Sequence, residues 1–326
     1  MSFYLKNMME KNQKYVVGVD GGGTKTVAVL ADLNGKILAK AKIGSSHSRN
    51  IGIKKAMDNL ALAIKKVLSK DKKILSTFLG LPAMEEEFKF KKGVIKRELL
   101  KHKEISPIFK GKVIIDSDQL VGFRSGTDCK DGMILIAGSG CVAHGWREGK
   151  EAKACGWGYL SEIGSAFWVG QKAVQEIFKD LDGRGPQTLI TKLVFQKLKV
   201  RNKENLIKRI YSRNPTEVLP PLAILVDEAS KRGDKIAKNI MAEAGKELSL
   251  SANQVIRKLG FPKVKFPLVL IGGLFKSKIV LNTVKREIKK FAPKVQFIQP
   301  NDAPVIGAVK LAIENLKNKG ETKCYL

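Results

Sequence analysis

The sequence predicts an α/β protein of two related domains, each a mixed sheet with helices packed on it, facing each other across a cleft. Two observations lead to this prediction. Apolar strand-like runs alternate with segments of helical periodicity. The same pattern then begins again at residue 132. A chain of 326 residues is long enough for two domains that each bury a core.

The first half contains five apolar runs that predict strands. The first three follow one another with short connections, and Asn34-Gly35 marks a hairpin turn between the second and the third. Two segments with apolar residues at helical spacing lie between the later strands. The predicted strands are 14–20, 26–32, 37–43, 74–82 and 112–116, and the helices are 54–68 and 85–100.

The second half repeats the plan of strand, glycine turn and hairpin. GMILIAGSG (132–140) is an apolar strand that ends in a glycine turn, and CVAHGW and EAKACGW follow as its hairpin partners. The chain is mostly helical from residue 165 to residue 259. FPLVLIGG (266–273) predicts a buried strand, and PVIGAVKLAIENL predicts a closing helix.

The charge of the chain is strongly positive, with 60 Lys and Arg against 31 Asp and Glu and a net charge of +29. Such an excess attracts polyanions without specificity. The lysines are spread through helix-like segments, and no signature of a nucleic-acid-binding module occurs. We therefore expect solvated helix faces rather than a nucleic-acid partner.

Cellular location is read from apolar runs and cysteine spacing. No apolar run approaches the roughly 20 residues of a membrane span, so no membrane partner is expected. The first fourteen residues lack a signal-peptide pattern and predict a frayed extension. The four cysteines form no C-x-x-C pair. The expectation is a reduced, cytoplasmic protein.

Three glycine turns follow apolar strands. Asp20 precedes Gly21, Gly22, Gly23, Thr24 and Lys25; the second turn is Gly138, Ser139 and Gly140; the third is Gly272 and Gly273. Without Cβ atoms, backbone N–H groups can approach phosphate oxygens, and the Thr24 hydroxyl adds a donor. The first two turns are therefore candidates for a polyphosphate, and the third for a base or ribose. The alternative for the first is a tight hairpin turn that requires positive φ.

Two side chains of the first turn have further candidate roles. Asp20 could hold Mg²⁺ through water, because Mg²⁺ keeps several waters and takes one or two carboxylates. Lys25 could neutralise phosphate charge or stay solvated. The spacing matches neither the P-loop nor the dinucleotide motif.

Five segments together resemble the N-acetylglucosamine kinase and BadF/BadG-type ATPase family of the actin–Hsp70–sugar-kinase superfamily. They are VGVDGGGTKT, AGSG, CGWGYLSEIGSAFWVGQKAV, IGGLFKS and PVIGAVKLA. The resemblance implies two ribonuclease-H-like (actin-like ATPase) domains, each a mixed five-stranded sheet with flanking helices, around a central cleft that binds ATP and Mg²⁺. On this basis we expect a first domain over 1–120, a second over 121–303 with a helical insertion, and a C-terminal helix (304–326) that returns to the first.

The resemblance also implies a general base that opens the helix after the last strand of the first domain. Asp118 stands there, and Asp116 is the competitor. A positioned carboxylate accepts the proton of a sugar hydroxyl as its oxygen attacks the γ-phosphate. Glycine-loop amides and Mg²⁺ stabilise the charge of the transferring group. The structural alternative for Asp118 is a helix N-cap.

Two loops of the family contact the sugar. In GSSHSRNIG (44–52), Asn50 keeps the second asparagine of the family pattern and His47 replaces the first. In SEIGSA (161–166), Glu162 replaces the usual aspartate and Ile163 the following acid. Gly156 and Asp118 complete the expected sugar contacts. GLPA (80–83) departs from the family pattern as well.

The leading hypothesis is therefore ATP-dependent phosphorylation of a hexose or amino sugar. One alternative is an ATPase activator of a 2-hydroxyacyl-CoA dehydratase or benzoyl-CoA reductase, whose cysteine motifs are not found here. The other is a non-catalytic regulatory module. A zinc-containing repressor–kinase is excluded, because its C-x-C-G-x-x-G-C motif is missing. A homodimer is considered, since one sequence does not fix the oligomeric state.

Overall fold

The computed structural model describes residues 13–69, 72–82 and 90–317, with the side chains of Arg49, Asn50, Phe90 and Lys91 outside that description. The chain divides into two units between residues 129 and 130 and again between residues 299 and 300. These divisions lie nine residues after and four residues before the expected boundaries at 120 and 303. The helix that begins at Asp118 therefore belongs to the first unit.

The sheet of the first unit has the strand order β3-β2-β1-β4-β5. Strands β1, β2 and β3 are antiparallel neighbours, whereas β1, β4 and β5 run parallel. The strands are β1 (Lys14–Gly21), β2 (Thr26–Asp32), β3 (Ile37–Ile43), β4 (Lys73–Leu81) and β5 (Lys112–Ser117).

Helices cover both faces of this sheet. Val17 and Val19 point into a core shared with α2, while Val16 points into a core shared with α12, as the two-residue period of a strand requires. The helices are α1 (Ser48–Ile51), α2 (Ile53–Val67), α3 (Phe90–Leu100), a 3-10 helix (Lys103–Lys110), α4 (Asp118–Gly126) and α12 (Val305–Glu314).

The second unit repeats this sheet in the order β10-β9-β6-β7-β8. Strands β6, β7 and β8 are antiparallel, and β6, β9 and β10 are parallel. The strands are β6 (Gly132–Ala137), β7 (Cys141–Arg147), β8 (Lys150–Cys155), β9 (Phe266–Ile271) and β10 (Val295–Ile298). The prediction of two mixed five-stranded sheets is confirmed.

The helices of the second unit pack with its sheet around one large core. They are α5 (Ala166–Leu181), α6 (Leu189–Leu198), α7 (Lys203–Tyr211), α8 (Pro215–Val218), α9 (Leu222–Lys231), α10 (Lys235–Lys258), a 3-10 helix (Gly273–Lys276) and α11 (Lys278–Phe291). Helices α5 to α10 all lie between β8 and β9 in the chain, and the sequence predicts a mostly helical region there. Within the described residues, none of the helices combines the length and the apolar character needed to cross a membrane.

The structure describes three of the four cysteines. Cys129 is buried. Cys141 and Cys155 are free thiols. Cys324 and the first twelve residues lie outside the described residues.

Candidate active site

The first glycine turn (Gly21–Lys25) connects β1 to β2. The Gly22 N–H donates to the Lys25 carbonyl at 2.9 Å, which closes the turn over Gly23 and Thr24. The Gly22 carbonyl accepts from the Ser46 N–H and from the Ser45 hydroxyl, both at 3.2 Å. The three glycines are not among the residues with positive φ. The run is thus a tight hairpin turn, as the alternative expects, but the expected positive φ is wrong.

The three glycines of this turn have different surroundings. A Cβ at Gly21 would lie 2.4 Å from the Ser46 Oγ and 2.8 Å from the Leu81 Cδ2, so packing requires glycine there. A Cβ at Gly22 would lie 3.2 Å from the Lys25 carbonyl oxygen. At Gly23 a Cβ would meet nothing within 4 Å. Packing explains why residue 21 is glycine. Gly23 instead exposes backbone that a ligand can approach closely.

Asp20 precedes this turn near the end of β1, where it pairs with Val27 and Gly80 in the neighbouring strands. Burial raises the pKa of its carboxyl group to about 6, and the charge of Lys25 opposes that rise. The carboxylate is therefore mostly ionised at pH 7. A single, partly buried carboxylate beside exposed backbone N–H groups fits an Mg²⁺ ion that keeps most of its waters.

Asp118 is the first residue of α4, and Ser117 is the N-cap. The Ser117 Oγ accepts from the Leu120 N–H at 3.1 Å. The alternative that Asp118 is the N-cap is therefore wrong. A carboxylate in the first turn is stabilised in its ionised form by the helix dipole. The carboxyl group is partly buried, and capping does not account for its presence.

The competing carboxylate, Asp116, makes local contacts on β5. One carboxylate oxygen accepts from the Ser117 N–H at 2.7 Å, and the other lies 3.4 Å from the Lys92 Nζ. These contacts give Asp116 a structural role at the end of the strand.

Two glycines, Gly80 and Gly307, allow close packing around Val121 of helix α4. A Cβ at Gly80 would lie 2.3 Å from the Val121 Cγ2, and a Cβ at Gly307 would lie 1.9 Å from the Val121 carbonyl oxygen. Glycine at both positions lets β4 and α12 approach the helix directly. The position of Asp118 at the start of α4 therefore depends on the packing of β4 and α12 against this helix.

A charged pair also fixes α4 to α12. Arg124 is only 2% exposed. Its Nη1 donates to Glu314 Oε2 at 3.0 Å, its Nη2 contacts Glu314 Oε1, and its Nε donates to the Thr127 carbonyl at 3.2 Å. Sequence reasoning missed this pair, because no pattern in the sequence links residues this far apart in the chain.

The second glycine turn (Gly138–Gly140) supports the start of α5. The Gly138 N–H donates to the Gly140 carbonyl at 2.8 Å. The carbonyls of Gly138 and Ser139 accept from the N–H groups of Ala166 and Phe167, at 2.9 and 3.2 Å. The first N–H groups of the helix are thus paired with the turn itself. The carbonyls of this turn and the Gly138 N–H bond within the protein, so Ser139 and Gly140 are the candidate N–H donors to an anion.

Glu162 joins this turn to the preceding loop. One carboxylate oxygen accepts from the Cys141 N–H at 3.1 Å, and the other accepts from the Gly158 N–H at 2.9 Å. A Cβ at Gly140 would lie 2.0 Å from Glu162 Oε2, so the glycine makes room for the carboxylate. The sequence predicts Glu162 only as a sugar contact and does not reveal this bridging role.

The remaining predicted residues of the second unit lie near these two elements. A Cβ at Gly272 would lie 2.1 Å from the Ala137 carbonyl, which places the third turn directly behind the second. Gly273 has nothing within 4 Å of its Cβ position. Gly156 has a φ of 81° and lies against Val142. Ile163 is exposed on the same loop as Glu162.

In the first unit, the segment 44–52 lies against the first glycine turn through Ser45 and Ser46. The His47 N–H donates to the Ser45 Oγ at 3.0 Å, and His47 is the N-cap position of α1. Asn50 lies in α1, but its side chain is outside the described part of the chain. Ala83 of GLPA is also outside it.

Comparison with known proteins identifies the family. A model of the BadF/BadG/BcrA/BcrD ATPase family matches residues 17–312. An N-acetyl-D-glucosamine kinase of Dictyostelium discoideum is 30% identical, over 94% of this chain and all of that protein. An N-acetylmuramic acid/N-acetylglucosamine kinase of Clostridium acetobutylicum is 29% identical, over 92% of this chain and 98% of that protein.

A solved structure shares the fold. The crystal structure of a candidate N-acetylglucosamine kinase of Chromobacterium violaceum superposes with a TM-score of 0.68 at 22% identity, covering 93% of this chain and 99% of the other. The resemblance inferred from the motifs is confirmed, and the chain belongs to the BadF/BadG/BcrA/BcrD ATPase family.

Proposed function

We propose that this protein is an ATP-dependent kinase that transfers the γ-phosphoryl group to a hydroxyl of an amino sugar, with Asp118 as general base. The observation that carries the proposal is the place of Asp118 at the start of α4, where Ser117 already caps the helix. The two curated relatives are named as kinases of N-acetylated sugars and match this chain over most of its length.

The glycine turns bind the nucleotide in this proposal. Gly21, Gly22, Gly23, Thr24 and Lys25 line the ATP phosphates, as do Gly138, Ser139 and Gly140. The N–H groups of Gly22 and Gly138 close their own turns, so the donors to phosphate come from the other residues of the two turns. Gly272 and Gly273 lie against the nucleoside. Gly23 and Gly273 support this role, because a Cβ at either position would meet nothing within 4 Å among the described residues.

Asp20 would hold Mg²⁺ through water. The bound ion would neutralise charge on the phosphates and stabilise the transferring group. Asp20 suits this task because its carboxyl group is mostly ionised at pH 7, even though burial raises its pKa to about 6.

Asp118 accepts the proton of the attacking sugar hydroxyl, since a carboxylate within hydrogen-bonding reach of that hydroxyl raises its nucleophilicity. Asn50, Gly156 and Glu162 contact the sugar. A carboxylate offers about four acceptor positions, so Glu162 can bind hydroxyls while it accepts from Cys141 and Gly158. His47, Glu162 and Ile163 are the positions where the two sugar segments depart from the family pattern, and they determine the preferred sugar.

The test is a coupled ADP-release assay over a panel of hexoses, N-acetylglucosamine and N-acetylmuramic acid. N-acetylmuramic acid is included because the Clostridium relative is named for it. We expect ADP release that requires one of these sugars, and a loss of about 10²–10⁴-fold in kcat for Asp118→Asn. The matched control is Asp116→Asn, which removes a carboxylate two residues away and should keep kcat within a few fold.

The opposite result is also specific. ADP release that is independent of every sugar and equal in Asp118→Asn would contradict the kinase and favour the ATPase activator. An iron–sulfur chromophore in anaerobically purified protein would do the same. Among the described residues, no group of three or more His, Cys, Asp or Glu side chains could hold a metal ion.

We propose a cytoplasmic location, where ATP is supplied. We also propose a homodimer, and analytical sedimentation of the same samples tests this oligomeric state.

A further inference from the structure

Two free thiols lie beside the second glycine turn and have no part in the proposed mechanism. The Sγ atoms of Cys141 and Cys155 are 3.2 Å apart. Cys141 follows Gly140 directly, and Cys155 directly precedes Gly156. The two thiols thus connect the end of a candidate phosphate turn with the start of a candidate sugar loop.

The backbone at Cys155 brings the thiols together. In the ladder of β7 and β8, Val142 pairs with Cys155. Side chains of paired residues share a face, and the side chain of the preceding residue points to the other face. A regular strand would therefore separate Cys155 from Cys141. Cys155 instead has a φ of 66°, in the left-handed region that residues other than glycine rarely adopt.

The two thiols differ in exposure and acidity. Cys141 is 3% exposed, whereas Cys155 is partly accessible to solvent. The hydrogen bond between them lowers the pKa of Cys155 and raises that of Cys141. The more accessible thiol is thus also the better nucleophile at neutral pH. Such a pair has the parts of a dithiol that forms a disulfide: an attacking thiolate and a neighbouring thiol that resolves the intermediate.

We propose that Cys141 and Cys155 are a redox-active dithiol whose oxidation to a disulfide inhibits the protein. The oxidant is a low-molecular-weight disulfide such as oxidised glutathione. The Cys155 thiolate attacks one of its sulfurs, which forms a mixed disulfide and releases one thiolate. Cys141 then loses its proton and attacks the Cys155 Sγ, which forms the Cys141–Cys155 bond and releases the second thiolate. Two thiols are oxidised and one disulfide is reduced.

Oxidation changes the contacts of the sugar loop. The Cys141 thiol lies 3.4 Å from the Ile163 carbonyl oxygen, and the Cys155 thiol lies 3.9 Å from that of Ser161. A disulfide removes both S–H donors and draws the sulfurs from 3.2 Å to about 2.05 Å. Glu162 lies between these two carbonyls and binds the Cys141 N–H. The loop 161–163 therefore shifts relative to the second glycine turn. The kinetic consequence rests on the proposed function, whereas the formation of the bond does not.

The experiment treats the reduced protein with excess oxidised glutathione, blocks the remaining thiols and maps the peptides by mass spectrometry. We expect a cross-linked pair of peptides that contain Cys141 and Cys155, lighter by two hydrogen atoms than the reduced pair. We also expect at least a fivefold lower kcat/KM for the sugar, restored by dithiothreitol. Cys141→Ser and Cys155→Ser should each show equal activity before and after oxidation.

The matched control is a Cys129→Ser/Cys324→Ser variant, which keeps only the proposed pair. It should form the same cross-link and show the same reversible loss, so that thiol chemistry at Cys129 and Cys324 does not confuse the result. The absence of the cross-link would overturn the proposal, and so would a cross-link that leaves kcat/KM unchanged. A reduced protein that phosphorylates no sugar refutes the proposed function. In that case the mass measurement tests bond formation, and ATP affinity replaces kcat/KM as the measure of inhibition.

Discussion

The first and second glycine turns occupy equivalent places in two similar sheets, yet glycine is required in them for different reasons. In the first, Gly21 packs against Ser46 and Leu81, and Gly23 lies in open space. In the second, Gly140 makes room for the Glu162 carboxylate, and the turn carbonyls accept from the first N–H groups of α5. The first turn therefore leaves one glycine uncovered, whereas the second is tied to the helix and the loop that follow it.

The two units also stabilise these regions by different means. In the first unit, a buried Arg124–Glu314 pair holds the helix that starts at Asp118. In the second, a single carboxylate, Glu162, binds two backbone N–H groups. The first arrangement depends on two opposite charges that are far apart in the sequence, and the second on local hydrogen bonds. The following predictions, in order of decreasing effect on stability, test this difference.

Arg124→Met should cause the largest loss of stability. It leaves Glu314 without its buried partner, which costs about 3–5 kcal/mol in comparable pairs. Chemical denaturation measures the change, and Arg124→Met/Glu314→Leu should recover most of it. Lys310→Met is the matched control, because its partner Asp128 is exposed; it should cost less than about 1 kcal/mol. Equal costs for the two single variants would contradict a special role of the buried pair.

Asp20→Asn should stabilise the protein above pH 6 and abolish its activity. The folded pKa of about 6 lies above the ordinary value of 3.8, so the wild type loses stability as the pH rises through that range. Each pKa unit corresponds to about 1.4 kcal/mol, which sets an upper limit of about 3 kcal/mol for the gain.

Thermal unfolding of both proteins without Mg²⁺ or nucleotide, at pH 4.0 and pH 8.0, measures this difference. The variant should be more stable only at the higher pH. A gain of the same size at both pH values would mean that ionisation of Asp20 is not its cause.

Glu162→Ala should cost about 1–3 kcal/mol, because it leaves the partly buried Cys141 N–H without its acceptor, whereas the exposed Gly158 N–H can bond to water instead. Glu162→Gln keeps one acceptor oxygen and should cost less. Hydrogen exchange of these two amides distinguishes the bridge from a general loss of stability. Unchanged exchange at both amides in Glu162→Ala would show that the bridge has no stabilising role.

Gly23→Ala should have the smallest effect on stability, within about 0.5 kcal/mol, since its Cβ would meet no neighbour. It should nevertheless raise KM for ATP about tenfold or more, if backbone at this point contacts phosphate. Gly21→Ala is the comparison and should destabilise the fold, because its Cβ would clash with Ser46. An unchanged KM for ATP in Gly23→Ala would remove Gly23 from the nucleotide site.

Local patterns predicted the elements of the fold well. The period of the apolar residues predicted all five strands of the first unit and both hairpins, and the glycine turns were found where strands end. The weakest points were the roles of single residues. The DGGGT run and the first residue of α4 each allowed two interpretations, because a turn and a ligand site, or a cap and a base, use the same residue types.

The sequence by itself determined the α/β class, the order of the strands along the chain, the positions of the three glycine turns and the family. These features depend on periodicity and on short motifs, which act over a few residues. The tertiary structure alone decided that Ser117 caps α4, that Gly140 accommodates Glu162, and that Arg124 meets Glu314 across 190 residues of chain. It also brought Cys141 and Cys155 together through a left-handed backbone at Cys155. Such contacts depend on the packing of distant segments, and no local pattern in the sequence reports them.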